Sequence, residues 1–219
     1  MNISQIKKNQ IFLEFIKQAE NSLSVLGYTE HGLKHASLVS ERCGMLAREI
    51  DLSDNERELS EIAGLCHDIG NFLSRTNHHY FGALLFSQIF GNDFEPKDLA
   101  VIMQAISNHD KDEMKFANPV SAILVLADKS DVRRSRVLLK EMSKIKADIH
   151  NRVNFATAFS KLAVNKKNKT ITLNLKIDTK FVPIMEYFEI FTERMAYCRK
   201  AAEYLGYKFC LVINSFKLL

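Results

Sequence analysis

Imidazole and carboxylate side chains recur in this sequence at positions where apolar ones are expected. His35 falls in register with Val39, Cys43 and Leu46, and His67 continues the stripe of Leu59, Ala63 and Cys66. His109 follows Ile106 on its own stripe, and Asp128 closes the most apolar stretch of the chain, Val120 to Ala127. One inward histidine is ordinarily a hydrogen-bonded core residue, and one inward carboxylate is costly without donors or a cation. Several separate segments that each turn such a group inward are best explained by a shared metal. No cysteine joins the set: Cys43, Cys66, Cys198 and Cys210 lie far apart with no CxxC spacing, as reduced core residues would. Imidazole plus carboxylate suits iron, manganese, zinc, cobalt or nickel rather than a cysteine-based structural zinc site.

Helices must position these groups. Phe12, Phe15, Ile16, Ala19 and Leu23 form one stripe that Gly27 ends. A second helix starts at about Gly32 and carries His35 inward. Ser53 and Glu56 make a capping box for a third, which stops near Gly70. A fourth follows Asn77 as far as Gly91, and Pro96 opens a fifth that carries Leu99, Ile102 and Ile106. Asn118-Pro119 opens a sixth, apolar almost all round and therefore central. A polar helix through Arg133 to about Ile149 and another over about Asn154 to Val164 complete a helical core, residues 1–164. Beyond it, Ile171, Leu173, Leu175 and Ile177 alternate with polar residues at strand period. A helix from about Val182 to Leu205 and a strand over Tyr207 to Asn214 then give residues 165–219 the pattern of a small β-α-β element packed on the core.

The spacing of these groups resembles the HD-domain superfamily of metal-dependent phosphohydrolases. His35, the doublet His67-Asp68 in "LCHDIG" and Asp128 in "VLADKSDVRRSR" look like its H…HD…D signature, over about residues 28–140. The resemblance implies a mainly α fold and a metal bound by His35, His67, Asp68 and Asp128. "HHYFGA" resembles the H-x-x-x-G-A segment of two-metal members, which implies His78 as a further ligand; His79 is the neighbouring alternative, and one of the pair is expected to face away as a solvated surface histidine. His109 in "ISNHD" resembles the remaining added ligand, and Asp68 would then bridge two ions. Two departures stand out. Asn71 replaces the lysine that follows HDIG in the cyclic-dinucleotide branch, and that branch's GYP segment is missing after His109, so a standard cyclic-di-GMP enzyme is not expected.

What the resemblance implies is a hydrolase with one or two divalent transition-metal ions that activates water against a phosphate ester, the substrate a nucleotide or related small phosphorylated molecule. Asp68 and Lys129 would serve catalysis, and Lys129, Arg133, Arg136 and His31 would meet the substrate. Lys129, Arg133 and Arg136 are spaced i, i+4 and i+7, one face of a helix, with Arg134 pointing elsewhere. His31, four residues before His35, is expected on the same face. Asp110 and Asp131 would orient metal ligands from behind or accept a proton. A di-iron oxygenase on the same fold and a non-catalytic nucleotide-sensing module are the alternatives. The formal charge of +4 is too mild to argue for nucleic acid, and no apolar run spans a bilayer. A cytoplasmic protein is expected, with a homodimer plausible through the tail helix and His150 at a surface or helix end.

Overall fold

The computed structural model describes residues 1–111 and 114–218. Among these are ten α-helices and one four-stranded sheet. After a short α1 (Ile3–Ile6), α2 (Gln10–Val25) is capped by Asn9, whose side chain accepts from the Ile11 and Phe12 amides. It buries Phe12, Ile16, Ala19 and Leu23, and the chain leaves it through Gly27 at φ 83°. The capping box is present: Ser53 and Glu56 start α4 (Asp54–Cys66), which packs on α3 (Leu33–Glu49). Gly64 lets these two approach closely, because a Cβ there would lie 2.9 Å from the Ser40 Cα. A 3-10 turn, Ile69–Phe72, leads to α5 (His78–Phe90), followed by α6 (Pro96–Asn108) and α7 (Pro119–Lys129).

Every residue from Val120 to Ala127 is buried, so α7 is the axis of the bundle, in contact with α3, α4 and α6. That matches its all-round apolar sequence. After α7 the structure departs from the sequence reading. No long polar helix runs through Arg133: the chain extends at Arg133 and makes only a 3-10 turn, Arg134–Arg136. Short helices α8 (Met142–Ala147) and α9 (Ile149–Ala156) follow. The segment read as helix from about Asn154 to Val164 is mostly strand, β1 (Thr157–Asn165).

The remaining elements are β2 (Thr170–Ile177), α10 (Ile184–Tyr204), β3 (Lys208–Ile213) and the two-residue β4 (Phe216–Lys217). Strand order is β1-β2-β3-β4. β2 pairs antiparallel with β1 and parallel with β3, setting Leu173 against Leu162 on one side and Leu211 on the other. The β2-α10-β3 unit is thus the expected β-α-β element, extended by a strand at each edge. Tyr187, Phe191, Met195, Cys198 and Ala202 form the buried stripe of α10, which packs on α7 and β3. That contact brings the C-terminal unit to the end of α7 that carries Asp128. No helix among the described residues is long and apolar enough to cross a membrane.

Candidate metal centre

The polar cluster forms where helix ends converge. His35 lies in the first turn of α3, His67 is the residue that caps the C-terminus of α4, and Asp68 follows it. His78 is the first residue of α5, His109 caps α6, and Asp128 is the penultimate residue of α7. Helix ends suit this purpose, because two adjacent residues there, such as His67 and Asp68, can both reach one centre. Glycines bring the ends together: a Cβ on Gly70 would lie 2.1 Å from the His78 carbonyl oxygen, and one on Gly82 would lie 3.1 Å from that of His67.

Asp68 occupies the middle. Its Oδ2 faces His67 Nε2 at 3.3 Å and His35 Nε2 at 3.7 Å, while its Oδ1 faces His78 Nε2 at 3.5 Å and His109 Nε2 at 3.9 Å. Asp128 Oδ1 completes the first half, 3.2 Å from His35 Nε2 and 3.6 Å from His67 Nε2. Within this cluster two groups have donor atoms mutually close enough to hold an ion: His35 with His67 and Asp128, and His67 with Asp68 and His109.

The hydrogen bonds behind the rings set their tautomers. Nδ1 of His67, His78 and His109 lies 2.8, 2.8 and 2.6 Å from the carbonyl oxygens of Gly64, Arg75 and Ile106. His35 Nδ1 lies 2.8 Å from Asp131 Oδ2. A carbonyl can only accept, so each Nδ1 donates and each Nε2 presents its lone pair to the centre. His35 Nε2, His67 Nε2 and Asp68 Oδ2 are buried without a hydrogen-bond partner. His78 Nε2 and His109 Nε2 face each other at 3.0 Å. Convergent lone pairs and buried carboxylates of this kind call for a cation, and the donor set fits a divalent transition metal.

The electrostatics say the same. Burial opposes a charge on His67, but Asp68 and Asp128 outweigh it and raise its pKa to about 10. Burial likewise opposes ionisation of Asp68 and Asp128, yet His67 beside Asp68, and His35 and His67 beside Asp128, hold both well below the usual carboxylate range. Burial, with His67 and His78 nearby, drives His109 down to about 3. The cluster carries enough negative charge to bind a proton tightly where a metal would otherwise sit.

The flanking residues are arranged differently from the sequence expectation. His31 precedes α3 rather than riding on it; its ring stands edge-on to His35, centroids 5.6 Å apart. Lys129 is buried and bound to Asp110 at 2.7 Å, with Asp128 Oδ2 at 3.9 Å. Asp110 also approaches His78 Nε2 at 3.8 Å. Asp131 is fully enclosed, shared by His35, Arg133 Nε at 2.8 Å and Arg136 Nε at 3.7 Å. The cationic stripe therefore does not exist. Because α7 stops at Lys129 and Asp131 draws Arg133 inward, Arg133 is committed to Asp131 and Glu30, and Arg136 to the carbonyls of Glu30 and Asp131. Arg134 lies on the surface over Phe155. Nor is His79 a solvated surface residue. It is buried, with a pKa lowered to about 4 by burial and by His78, and its ring centroid lies 6.3 Å from that of His109. His150 is exposed in the first turn of α9, as expected of a helix-end residue.

Sequence reasoning missed three residues that position the cluster. Glu30 Oε1 accepts from the Gly32 and His35 amides and so fixes the start of α3. Asn71 donates to Asp68 Oδ1 at 2.8 Å. Arg75 reaches Asn71 Oδ1 at 3.2 Å and comes within 3.3 Å of His78 Nε2. The one available signal was Asn71 itself, noted only as a departure from a lysine. Comparison with known proteins gives one family result: a family model described as HD domain matches residues 32–143, more than half of the 219-residue chain. No curated protein matches it.

Proposed function

This chain belongs to the HD domain family, and from that premise we propose that it hydrolyses phosphate esters of small molecules at a centre of two divalent metal ions. HD-domain proteins are generally metal-dependent phosphohydrolases. The observation that carries the two-metal reading is the division of Asp68, one carboxylate oxygen toward His35 and His67 and the other toward His78 and His109. In this reading His35, His67, Asp68 and Asp128 would hold one ion, and Asp68, His78 and His109 would hold the other. When bound, such ions lower the pKa of water and neutralise charge on phosphoryl oxygens.

The chain's own residues do the rest. Asp131 keeps the His35 ring oriented with Nδ1 protonated, and Asn71 fixes the rotation of the Asp68 carboxylate. Lys129 brings a buried ammonium beside Asp128, where it can neutralise charge that develops on the phosphoryl group. Asp110 holds that ammonium in place and is itself kept ionised well below the usual range: burial opposes this, but Lys129 and His109 prevail. A nucleotide or a related small phosphorylated molecule is the substrate class we favour. A phosphate-release screen over mononucleotides, dinucleotides and sugar phosphates, run on protein loaded with manganese, iron or zinc, tests the reading. Metal-dependent release from at least one class is expected. Oxygen consumption with an organic substrate and no phosphate release from any of them would replace it with oxygenase chemistry.

A further inference from the structure

Beside the cluster lies a cleft of about 290 Å³ whose walls come largely from outside the matched family segment. His31, whose ring abuts His35, lines it. Arg75, Asp148, His150 of α9 and Arg194 of α10 also line it. Arg194 is the unusual member. It is half-buried, its guanidinium lies 5.0 Å above the Phe191 ring, and among the described residues it makes no ion pair or hydrogen bond. Arg136, another wall residue, already gives three donor contacts to backbone carbonyls. Desolvation pulls the Arg194 pKa below its ordinary value, against the opposing charges of Asp128 and Asp110 and with smaller contributions from Arg136 and Arg75. A desolvated guanidinium that no carboxylate pairs directly is costly unless an anion joins it.

We propose that Arg194, at a cleft where Arg75 adds positive charge while held by Asn71 and Asp110, binds a second phosphate of the substrate, one that does not react, so that the preferred substrates are small molecules carrying two phosphate groups. The inference rests on the phosphohydrolase reading of the adjacent cluster. Arginine suits the role because its planar fork meets phosphate oxygens through two parallel hydrogen bonds. Three arginines, Arg75, Arg136 and Arg194, line this small cleft against one carboxylate, Asp148, and that net charge matches a dianion better than a carboxylate. The cleft is at the low end of ordinary ligand sites, roughly 300–1,000 Å³, which favours a compact molecule over a polymer. The placement of Arg194 also gives the C-terminal unit a purpose: α10 carries the specificity group to a catalytic centre built by other helices.

The test compares binding rather than turnover. Calorimetry on metal-loaded protein gives the affinities for fructose bisphosphate against fructose monophosphate, and for adenosine bisphosphate against adenosine monophosphate. Wild type should prefer the bisphosphate of at least one pair by about tenfold or more, as expected for one charged contact. Arg194→Ala should bring that ratio near one. Arg194→Gln keeps much of the stem over Phe191, guards against a folding defect and should do the same. Arg134→Ala removes a surface cation outside the cleft and should leave the ratio intact. No preference in wild type for either pair, the same ratio in the Arg194 variants, or an equal loss in Arg134→Ala would overturn the proposal. An Arg194-dependent ratio in protein that releases no phosphate would overturn the hydrolase reading and leave the anion site standing.

Discussion

The two halves of the cluster share Asp68 and differ in their surroundings. The half formed by His35, His67 and Asp128 has two carboxylates in reach, Asp68 and Asp128, keeps Asp131 behind His35, and opens to solvent only at Asp128, whose side chain is 18% exposed. The half formed by His78 and His109 has a single oxygen of Asp68 as its nearest carboxylate, with Asp110 further off and already bound to Lys129. It also has a competing cation, because Arg75 lies 3.3 Å from His78 Nε2. Donor type alone would make the halves similar. Charge makes them unequal: the first should bind its ion tightly, and the second should bind more weakly and fill later.

The largest effect expected is that of Asp68→Ala, which breaks both halves at once. Phosphate release should fall about a thousandfold or more, while circular dichroism shows the helical fold retained. Substantial activity in this variant would mean that Asp68 is not the shared group. His35→Ala and His109→Ala separate the halves. The first should cost all bound metal and about a hundredfold or more in rate. The second should leave about one ion per chain and a measurable residual rate; equal losses from the two would erase the distinction. Asp131→Asn should weaken binding in the first half by roughly 10–100-fold, since the ring tautomer behind His35 is no longer held. Competition with a chelator of known affinity measures it, and an unchanged affinity would remove Asp131 from the account.

The smallest effect is in stability against pH. In protein stripped of metal, the His67 pKa is raised from 6.5 to about 10, so the folded chain holds a proton that the unfolded chain releases. The stability this contributes is fully present below about 6.5 and is lost as pH rises through about 10. Melting temperature should therefore decline across that window in stripped protein, and less so in loaded protein, where His67 must be deprotonated to bind metal. Identical slopes with and without metal would show that His67 does not sit at the ion.

The same division between strong and weak constraint governs what was legible in the sequence. His35, His67 and His109 could be found because each continues an apolar stripe, and Asp128 because it closes a helix that is buried all round. Their bringing together needed only that helices with such stripes pack on one core. Glu30, Asn71, Arg75 and Arg194 were not legible, since their roles arise from turns and from elements distant in sequence. The arginine stripe failed because helical spacing was extended past Lys129, where satisfying the buried Asp131 takes precedence over continuing the helix. β1 was misread because it is an edge strand with few buried residues, so Phe155, Phe159 and Leu162 show a helical spacing and no alternation.

Metal stoichiometry tests the central claim most directly. Elemental analysis of purified protein, stripped, titrated with manganese or zinc and freed of loosely held metal by gel filtration, gives ions per chain. Two per chain at saturation, the first retained against chelator far longer than the second, is the result the asymmetric, Asp68-shared centre predicts. A ratio that never exceeds one would contradict it and confine the chemistry to His35, His67, Asp68 and Asp128.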